Sequence, residues 1–222
     1  MNTLVIAPHA DDEILGCGGT LLRKIDEGHT VGLIIVTSMK ENEGWNEKAI
    51  NKRKKEILKI QKELKIKKEH LYQLDLPSTK LDTLPLEKIV KKISEVFNLF
   101  HPEELFLPHP GDAHSDHRVS FEASISCTKW FRFNCLKKIF TYETISETDA
   151  SLNSFLPFTP NTFIDVSKTI DRKCDLMKIY ESEIKDFPFP RSEEAIKALA
   201  KYRGSQSGYM AAEAFCLLRE RR

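Results

Sequence analysis

Residues 4–13 read Leu-Val-Ile-Ala-Pro-His-Ala-Asp-Asp-Glu, and the organisation of the whole chain can be worked out from this stretch. An apolar run, typical of a strand buried on both faces, leads directly into a histidine and three acids. Residues 13–27 then have helical spacing with Gly28 as a stop, and 30–37 form a second apolar run. The order predicts a βαβ unit. Its polar turn lies at the carboxyl end of the first strand, where open α/β sheets bind ligands.

The alternation of strands and helices continues along the chain. Further strands are predicted at 70–76, 104–108, 138–144 and 163–166, with a closing apolar element at 211–218. Helices are predicted at 47–65, 85–99, 118–130, 168–184 and 191–203, followed by a polar loop at 203–208. We therefore expect a single domain over residues 1–222. Its fold class is α/β, with a Rossmann-like, doubly wound, mostly parallel sheet and helices on both faces.

Charge and composition argue against several classes of protein. The 34 basic and 33 acidic residues give a net charge of +1, so no general attraction to nucleic acid or to an anionic membrane is expected. Five irregularly spaced cysteines do not suggest a disulfide framework. No apolar run approaches the roughly 20 residues of a membrane span, and no signal peptide is evident. We expect a cytoplasmic protein without a nucleic-acid partner or membrane span, and the sequence leaves a homo-oligomer open.

A second polar segment follows the strand at 104–108. Residues 109–117 read His-Pro-Gly-Asp-Ala-His-Ser-Asp-His, which is three of the chain's 7 histidines with two aspartates. In a Rossmann-like order the first strand neighbours the strand beyond the crossover, here 104–108. The two polar segments are therefore predicted to meet across the crevice at the sheet edge.

Together the two segments contain the parts of a catalytic zinc site. Such a site uses three His, Asp or Glu ligands and leaves one position for water. His9 and Asp12 can bind one ion from a single turn, and His117 can supply the third ligand. Asp11 could then take a proton from the water. His114 could stabilise a developing oxyanion or protonate the leaving group.

Three further acids near these residues have open roles. Asp112 could orient an imidazole or serve as a cap or turn residue. Asp116 could likewise orient an imidazole, or it could be the N-cap of the following helix. Glu13 opens a helix, where the helix dipole alone favours an acid.

At these motifs the sequence resembles the LmbE/PIG-L family of zinc-dependent N-acetylsugar deacetylases. The family has a (P/A)-H-x-D-D-E signature after its first strand and an H-x-D-H signature after a later one. Both are intact here, at residues 8–13 and 114–117. The segments 180–183 and 203–215 also resemble the family's C-terminal region, so the likeness covers nearly the whole chain.

The resemblance implies roles for individual residues. The expected metal ligands are His9, Asp12 and His117, with Asp11 as general base and His114 as stabiliser of the tetrahedral intermediate. Asp116, to which the resemblance gives no role, is also expected to be a catalytic residue. Arg53 and Glu56 resemble the family's R-x-x-E on the second helix, where the arginine faces the sugar pocket.

One departure concerns the substrate. Many members have proline-aspartate-glycine after the third strand, and that aspartate contacts the sugar. Here Ser78 replaces the acid, and Asp75 or Asp82 is the alternative. The sugar contact of the family therefore cannot be transferred directly to this chain.

These observations predict a zinc-dependent hydrolase that removes an N-acetyl or other N-acyl group from an amino sugar or sugar conjugate, with Fe²⁺ as an alternative metal. A metal-dependent amidase acting on a thiol-sugar or another acyl-amine conjugate is the nearest alternative. A metal- or ligand-binding protein without turnover is a third interpretation. A nucleotide-binding Rossmann module is disfavoured, because the glycines at 16–19 lack the G-x-G-x-x-G spacing.

Overall fold

The computed structural model describes residues 1–222 and contains one seven-stranded sheet of order β3-β2-β1-β4-β5-β7-β6. The strands are β1 Asn2–Ala7, β2 Thr30–Ser38, β3 Leu71–Pro77, β4 Glu104–Pro108, β5 Lys138–Tyr142, β6 Thr162–Asp165 and β7 Ala212–Glu220. The helices are α1 Asp12–Asp26, α2 Glu47–Glu63, α3 Leu86–Phe100, α4 Ser115–Ser126, α5 Ile170–Met177 and α6 Glu193–Ser207. Strands β1 to β5 are parallel, and β7 runs antiparallel to β5 and β6. The predicted fold class is confirmed.

Both faces of the sheet carry apolar side chains. Successive residues of a strand point to opposite sides, and in the central strands the residues of both sides are apolar. In β1, Val5 packs into a cluster of 24 buried residues with α1, α2 and α5. Its neighbour Leu4 packs into a cluster of 19 buried residues with α3 and α4 on the other face. This explains the unbroken apolar run at the start of the chain. None of the helices combines the length and the apolar character that crossing a bilayer requires.

Helix α1 is interrupted where it passes over the sheet. Cys17 has non-helical backbone angles (φ −146°, ψ 18°). At Gly16 a Cβ atom would lie 2.2 Å from a ring carbon of Tyr142, so only glycine allows this close approach of helix to sheet. The interpretation of these glycines as packing residues is confirmed.

A buried ion pair replaces the hydrogen bonds that α1 loses at the interruption. The Glu213 carboxylate accepts the backbone N–H groups of Gly19 (2.9 Å) and Thr20 (2.7 Å). Lys173 Nζ donates to the Leu15 carbonyl (2.8 Å) and to Glu213 (2.6 Å). Buried backbone groups need partners, and here β7 and α5 supply them to α1.

The bounds of three predicted elements were wrong. Helix α4 spans Ser115–Ser126 instead of 118–130, and it begins early because the His114 side chain accepts the N–H of Asp116 and caps the helix. Helix α5 ends at Met177 instead of 184. The polar segment 203–208 is the last turn of α6, which ends at Gly208 in a left-handed conformation (φ 80°). Its polar side chains are compatible with a solvated helix end, so polarity alone did not indicate a loop.

Candidate metal centre and active site

The two polar segments meet at the carboxyl edge of the sheet, as predicted. Strand β1 pairs in parallel with β4, so the residues that follow each strand lie side by side. His9 Nδ1 is 3.4 Å from Asp12 Oδ2, and His117 Nε2 is 3.2 Å from the same oxygen. The ring centroids of His9 and His114 are 4.5 Å apart. The topology thus brings together residues more than a hundred positions apart.

His9, Asp12 and His117 form a set that fits a divalent metal ion. Their ligand atoms all lie within 4.8 Å of one another. His117 is fully buried, yet its Nε2 has no hydrogen-bond partner. Buried polar atoms are rarely left unpaired, and a metal ion would satisfy this one. Two imidazoles and one carboxylate are a donor set that suits zinc or iron(II).

Two buried acids orient the two imidazoles. Asp112 Oδ2 lies 2.8 Å from His117 Nδ1, and Asp116 Oδ2 lies 3.1 Å from His9 Nε2. These contacts leave His117 Nε2 and His9 Nδ1 facing Asp12, as carboxylates behind metal-binding histidines commonly do. Asp116 also accepts the Thr79 N–H (2.7 Å), is fully buried, and is absent from the cavity lining. This placement favours an orienting role for Asp116 over direct catalysis, and it is not the N-cap of α4.

The charges of this set call for a cation. Burial lowers the pKa of His117, but Asp12 and Asp112 outweigh burial and raise it to about 10. Burial likewise lowers the pKa of His9, while hydrogen bonds to Asp116 and Asp12 raise it to about 9. Burial raises the pKa of Asp12, but His117 and His9 hold it far below its usual range. Without a metal ion, two imidazolium groups would provide the positive charge that the three acids require.

Asp11 has an unusual backbone conformation. Its φ is 141°, a region that non-glycine residues rarely adopt and that costs roughly 1–3 kcal/mol. Glu13 Oε2 accepts the Asp11 N–H (3.1 Å), and Glu13 Oε1 accepts the Tyr180 hydroxyl (2.8 Å). Glu13 is therefore a support for this turn, a role that the sequence did not indicate. Burial and the neighbouring Asp12 raise the pKa of Asp11 well above its usual range, partly offset by Arg191.

His114 presents a hydrogen-bond donor to the adjoining cavity. Its Nδ1 accepts the N–H of Asp116 (3.0 Å), which places the proton of the neutral ring on Nε2. Burial and nearby His9 lower the pKa of His114, so the ring is neutral at pH 7. His114 lines the cavity, where an N–H group can stabilise a developing oxyanion.

A cavity of about 240 Å³ adjoins the metal-ligand set. Its lining includes His9, Asp11, Asp12 and His114 from the two motifs. The lining also includes Trp45, Gln73, Asp75 and Ser78. Ser78 therefore lies at the cavity although it lacks the acid of the family, and Asp75 contributes a carboxylate to the same cavity. Asp82 does not line it.

Two arginines also line the cavity. Arg53 donates to the Ala10 carbonyl, to Ser182 and to Glu183, so its guanidinium is engaged by the protein itself. Arg191 donates to both Asp11 and Glu183. The sequence offered no signal for Arg191, which lies in the irregular segment between α5 and α6.

These observations lead to a Rossmann-like α/β protein with a His-Asp-His ligand set and a neighbouring acid at the switch point of the sheet. Comparison with known sequences specifies the family. The profile of the PIG-L family, described as GlcNAc-PI de-N-acetylase, matches residues 4–128. The chain belongs to the PIG-L family. PIG-L deacetylases are metal-dependent enzymes.

Individual relatives agree with this assignment. The diacetylchitobiose deacetylase of Thermococcus kodakarensis is 27% identical over 227 residues, covering 95% of this chain and 80% of the relative. The conserved protein TT1542 from Thermus thermophilus superposes with a TM-score of 0.78 at 25% identity, covering 99% of this chain and 96% of that one. The N,N'-diacetylchitobiose deacetylase from Pyrococcus horikoshii gives a TM-score of 0.78 at 21% identity, covering 98% and 84%. At that identity the last match shows the fold alone.

Proposed function

We propose that this protein is a zinc-dependent deacetylase that hydrolyses the N-acetyl group of an amino sugar or sugar conjugate. One observation carries the proposal. The Asp11 carboxylate and the His114 ring line the same cavity as the His9 and Asp12 side chains, which belong to the metal-ligand set. A base, an oxyanion stabiliser and a metal-ligand set beside one cavity are the parts that amide hydrolysis requires.

The metal-ligand set is His9, Asp12 and His117. When bound there, zinc or iron(II) would polarise the acyl carbonyl and lower the pKa of water. Asp112 and Asp116 would keep the two imidazoles in the orientation that the ion needs. Zinc is the ion that the family resemblance implies.

The chain's own side chains account for the proton transfers. Asp11 takes a proton from water as the water oxygen forms a bond to the acyl carbon, and the Nε2–H of His114 donates a hydrogen bond to the carbonyl oxygen. The carbon–nitrogen bond then breaks, and the proton held by Asp11 passes to the departing amine. The products are acetate and the free amino sugar, so one water molecule is consumed for each bond cleaved.

The cavity lining and a relative both support an N-acetylated sugar as the substrate class. Trp45 is half exposed at the cavity and offers an aromatic face, while Gln73, Asp75 and Ser78 offer hydrogen-bonding groups. The Thermococcus relative named above is a diacetylchitobiose deacetylase, and diacetylchitobiose is an N-acetylated amino sugar. We propose that this chain acts on the same class, with the arginine of the family's R-x-x-E, Arg53, beside the substrate.

The test is acetate release by the zinc-loaded enzyme from N-acetylglucosamine and N,N'-diacetylchitobiose, with the free amine measured in parallel. Equal amounts of acetate and amine would support the proposal. A metal-loaded protein that releases neither would contradict it. Release of a different acid from a thiol-sugar amide would favour the amidase alternative.

A single-domain organisation over residues 1–222 and a cytoplasmic location stay predictions. Limited proteolysis and cell fractionation test them. Light scattering will measure the oligomeric state, which the sequence leaves open.

A further inference from the structure

Arg191 joins the proposed base, Asp11, to other polar side chains by three side-chain hydrogen bonds, and its Nη2 also lies 3.9 Å from Glu147 Oε1. Its Nη1 donates to Asp11 Oδ2 (2.9 Å) and to Glu183 Oε2 (2.9 Å), and its Nε donates to Ser146 Oγ (2.9 Å). The guanidinium is partly buried, with 21% of the side chain exposed. Arg191 is thus held in one orientation by Glu183 of its own segment and by Asp11 and Ser146 of other segments.

The contact with Arg191 leaves one oxygen of the Asp11 carboxylate available. Oδ2 is bonded to Arg191, whereas Oδ1 has no hydrogen-bond partner and is not fully enclosed. Asp11 lines the cavity, so Oδ1 is the oxygen that can meet a water molecule there. The Glu13 contact fixes the backbone of Asp11, but only Arg191 holds its carboxylate.

The network around Arg191 closes on the turn that contains Asp11. Glu183 joins Arg191 to Arg53, and Arg53 donates to the carbonyl of Ala10, the residue before Asp11. The Ala10 carbonyl and the Asp11 carboxylate are therefore both held by the same network of ion pairs. A closed set of shielded ion pairs restricts the rotation of its members more than a single surface pair does.

We propose that Arg191 is the positioning residue of Asp11: it turns the carboxylate so that Oδ1 faces the cavity. This role rests on the proposed function, because it assumes that Asp11 is the base. It assigns to Arg191 an effect on turnover instead of on substrate affinity. The segment between α5 and α6 contributes no residue to the metal-ligand set, and on this proposal its role is to position the base through Arg191.

The experiment compares the wild-type enzyme with the variants Arg191→Ala and Arg191→Lys, all zinc-loaded, in acetate release from N,N'-diacetylchitobiose. We expect kcat to fall about 10- to 100-fold in Arg191→Ala, because misplacing a catalytic group by about 1 Å has effects of that size, while KM changes less than about threefold. Arg191→Lys keeps the charge but cannot contact Asp11, Glu183 and Ser146 together, so we expect an intermediate kcat. Guanidinium ion added in solution should restore part of the kcat of Arg191→Ala and none in Asp11→Asn.

Arg203→Ala is the matched control, since Arg203 forms a similarly shielded pair with Glu143 but has no contact with Asp11. Metal content and melting temperature are measured for each variant. A kcat of Arg191→Ala within about twofold of wild type, or a rise in KM alone, would overturn the positioning role. A loss in Arg191→Lys as complete as in Arg191→Ala, with equal melting and no guanidinium rescue, would also overturn it. If the wild type releases no acetate, the proposed function itself fails, and this role fails with it.

Discussion

Two groups of charged residues beside the cavity, here called walls, handle buried charge in different ways. The metal wall consists of His9, Asp12 and His117 with the orienting acids Asp112 and Asp116. The arginine wall consists of Asp11, Arg53, Glu183 and Arg191. Each wall places several charges where little solvent reaches, and isolated buried charges are strongly unfavourable.

The walls differ in how their negative charges are balanced. In the arginine wall two guanidinium groups face the carboxylates of Asp11 and Glu183, so its charges are paired within the chain. In the metal wall three carboxylates face two imidazoles, and the Nε2 of His117 has no hydrogen-bond partner. Arg53 Nε is likewise buried without a hydrogen-bond partner, so the walls differ in their balance of charge. Two guanidinium groups match two carboxylates in the arginine wall, while the carboxylates of the metal wall outnumber its imidazoles. The predictions below test this division.

The largest effect is expected for Asp11→Asn. The amide cannot accept the proton of water, so kcat/KM should fall by about 10³-fold, in the range of general-base contributions. Metal content should be unchanged, because Asp11 belongs to the arginine wall. Steady-state kinetics and metal analysis measure both quantities. Loss of the metal together with activity would show that the two walls are not separate.

A strong pH dependence is expected for the metal wall alone. The pKa values of His9 and His117 are raised to about 9 and about 10, so both rings are protonated at pH 7 in the metal-free protein and must release their protons to bind an ion. Apparent metal affinity should therefore rise about 100-fold per pH unit between about pH 7 and 8, with about two protons released. Calorimetry in buffers of different ionisation enthalpy measures the proton count. Release of no protons would contradict the assignment.

The same shifts set the stability of the metal-free protein. Because both pKa values lie above the ordinary value of 6.5, their stabilising contribution is complete below that pH. It is lost as the pH rises through about 9 and about 10. Thermal unfolding with a chelator present should therefore show a lower melting temperature at pH 10 than at pH 7, and added zinc should reduce this difference.

A smaller effect is expected for Asp112→Asn. The uncharged amide oxygen accepts the hydrogen bond of His117 more weakly than the carboxylate does, so metal affinity should fall about 10- to 100-fold. Asp82→Asn is the control, since Asp82 is exposed and does not line the cavity. Competition with a fluorescent zinc chelator measures the affinity. A zinc affinity of Asp112→Asn equal to that of Asp82→Asn would show that Asp112 does not support metal binding.

The smallest effect is expected outside both walls. Trp45→Ala should raise KM for the sugar about fivefold, corresponding to roughly 1 kcal/mol of lost aromatic contact, without changing metal content. Trp130→Ala is the matched control, because Trp130 is exposed and does not line the cavity. An unchanged KM in Trp45→Ala would place the sugar elsewhere.

Much of the fold was predictable from local patterns. The apolar runs and helical spacings indicated the alternation of strands and helices, and the adjacency of β1 and β4 followed from the crossover rule. Helix boundaries were less predictable. The cap of α4 is the ring of His114, and histidine is not a residue whose presence signals a helix start.

The metal wall could be predicted from sequence motifs, because its residues lie close together in two segments of the chain. His9 and Asp12 share one turn, and Asp112 and His117 are five residues apart, so short motifs suffice to indicate them. The arginine wall exists only in the folded protein. Its ion pairs join residues 130 and 180 positions apart, and a charged side chain carries no local signal of a partner so distant. Arg191 reaches Asp11 only because the segment between α5 and α6 packs against the turn between β1 and α1. That packing depends on the positions of whole elements in the fold, which the local sequence does not specify.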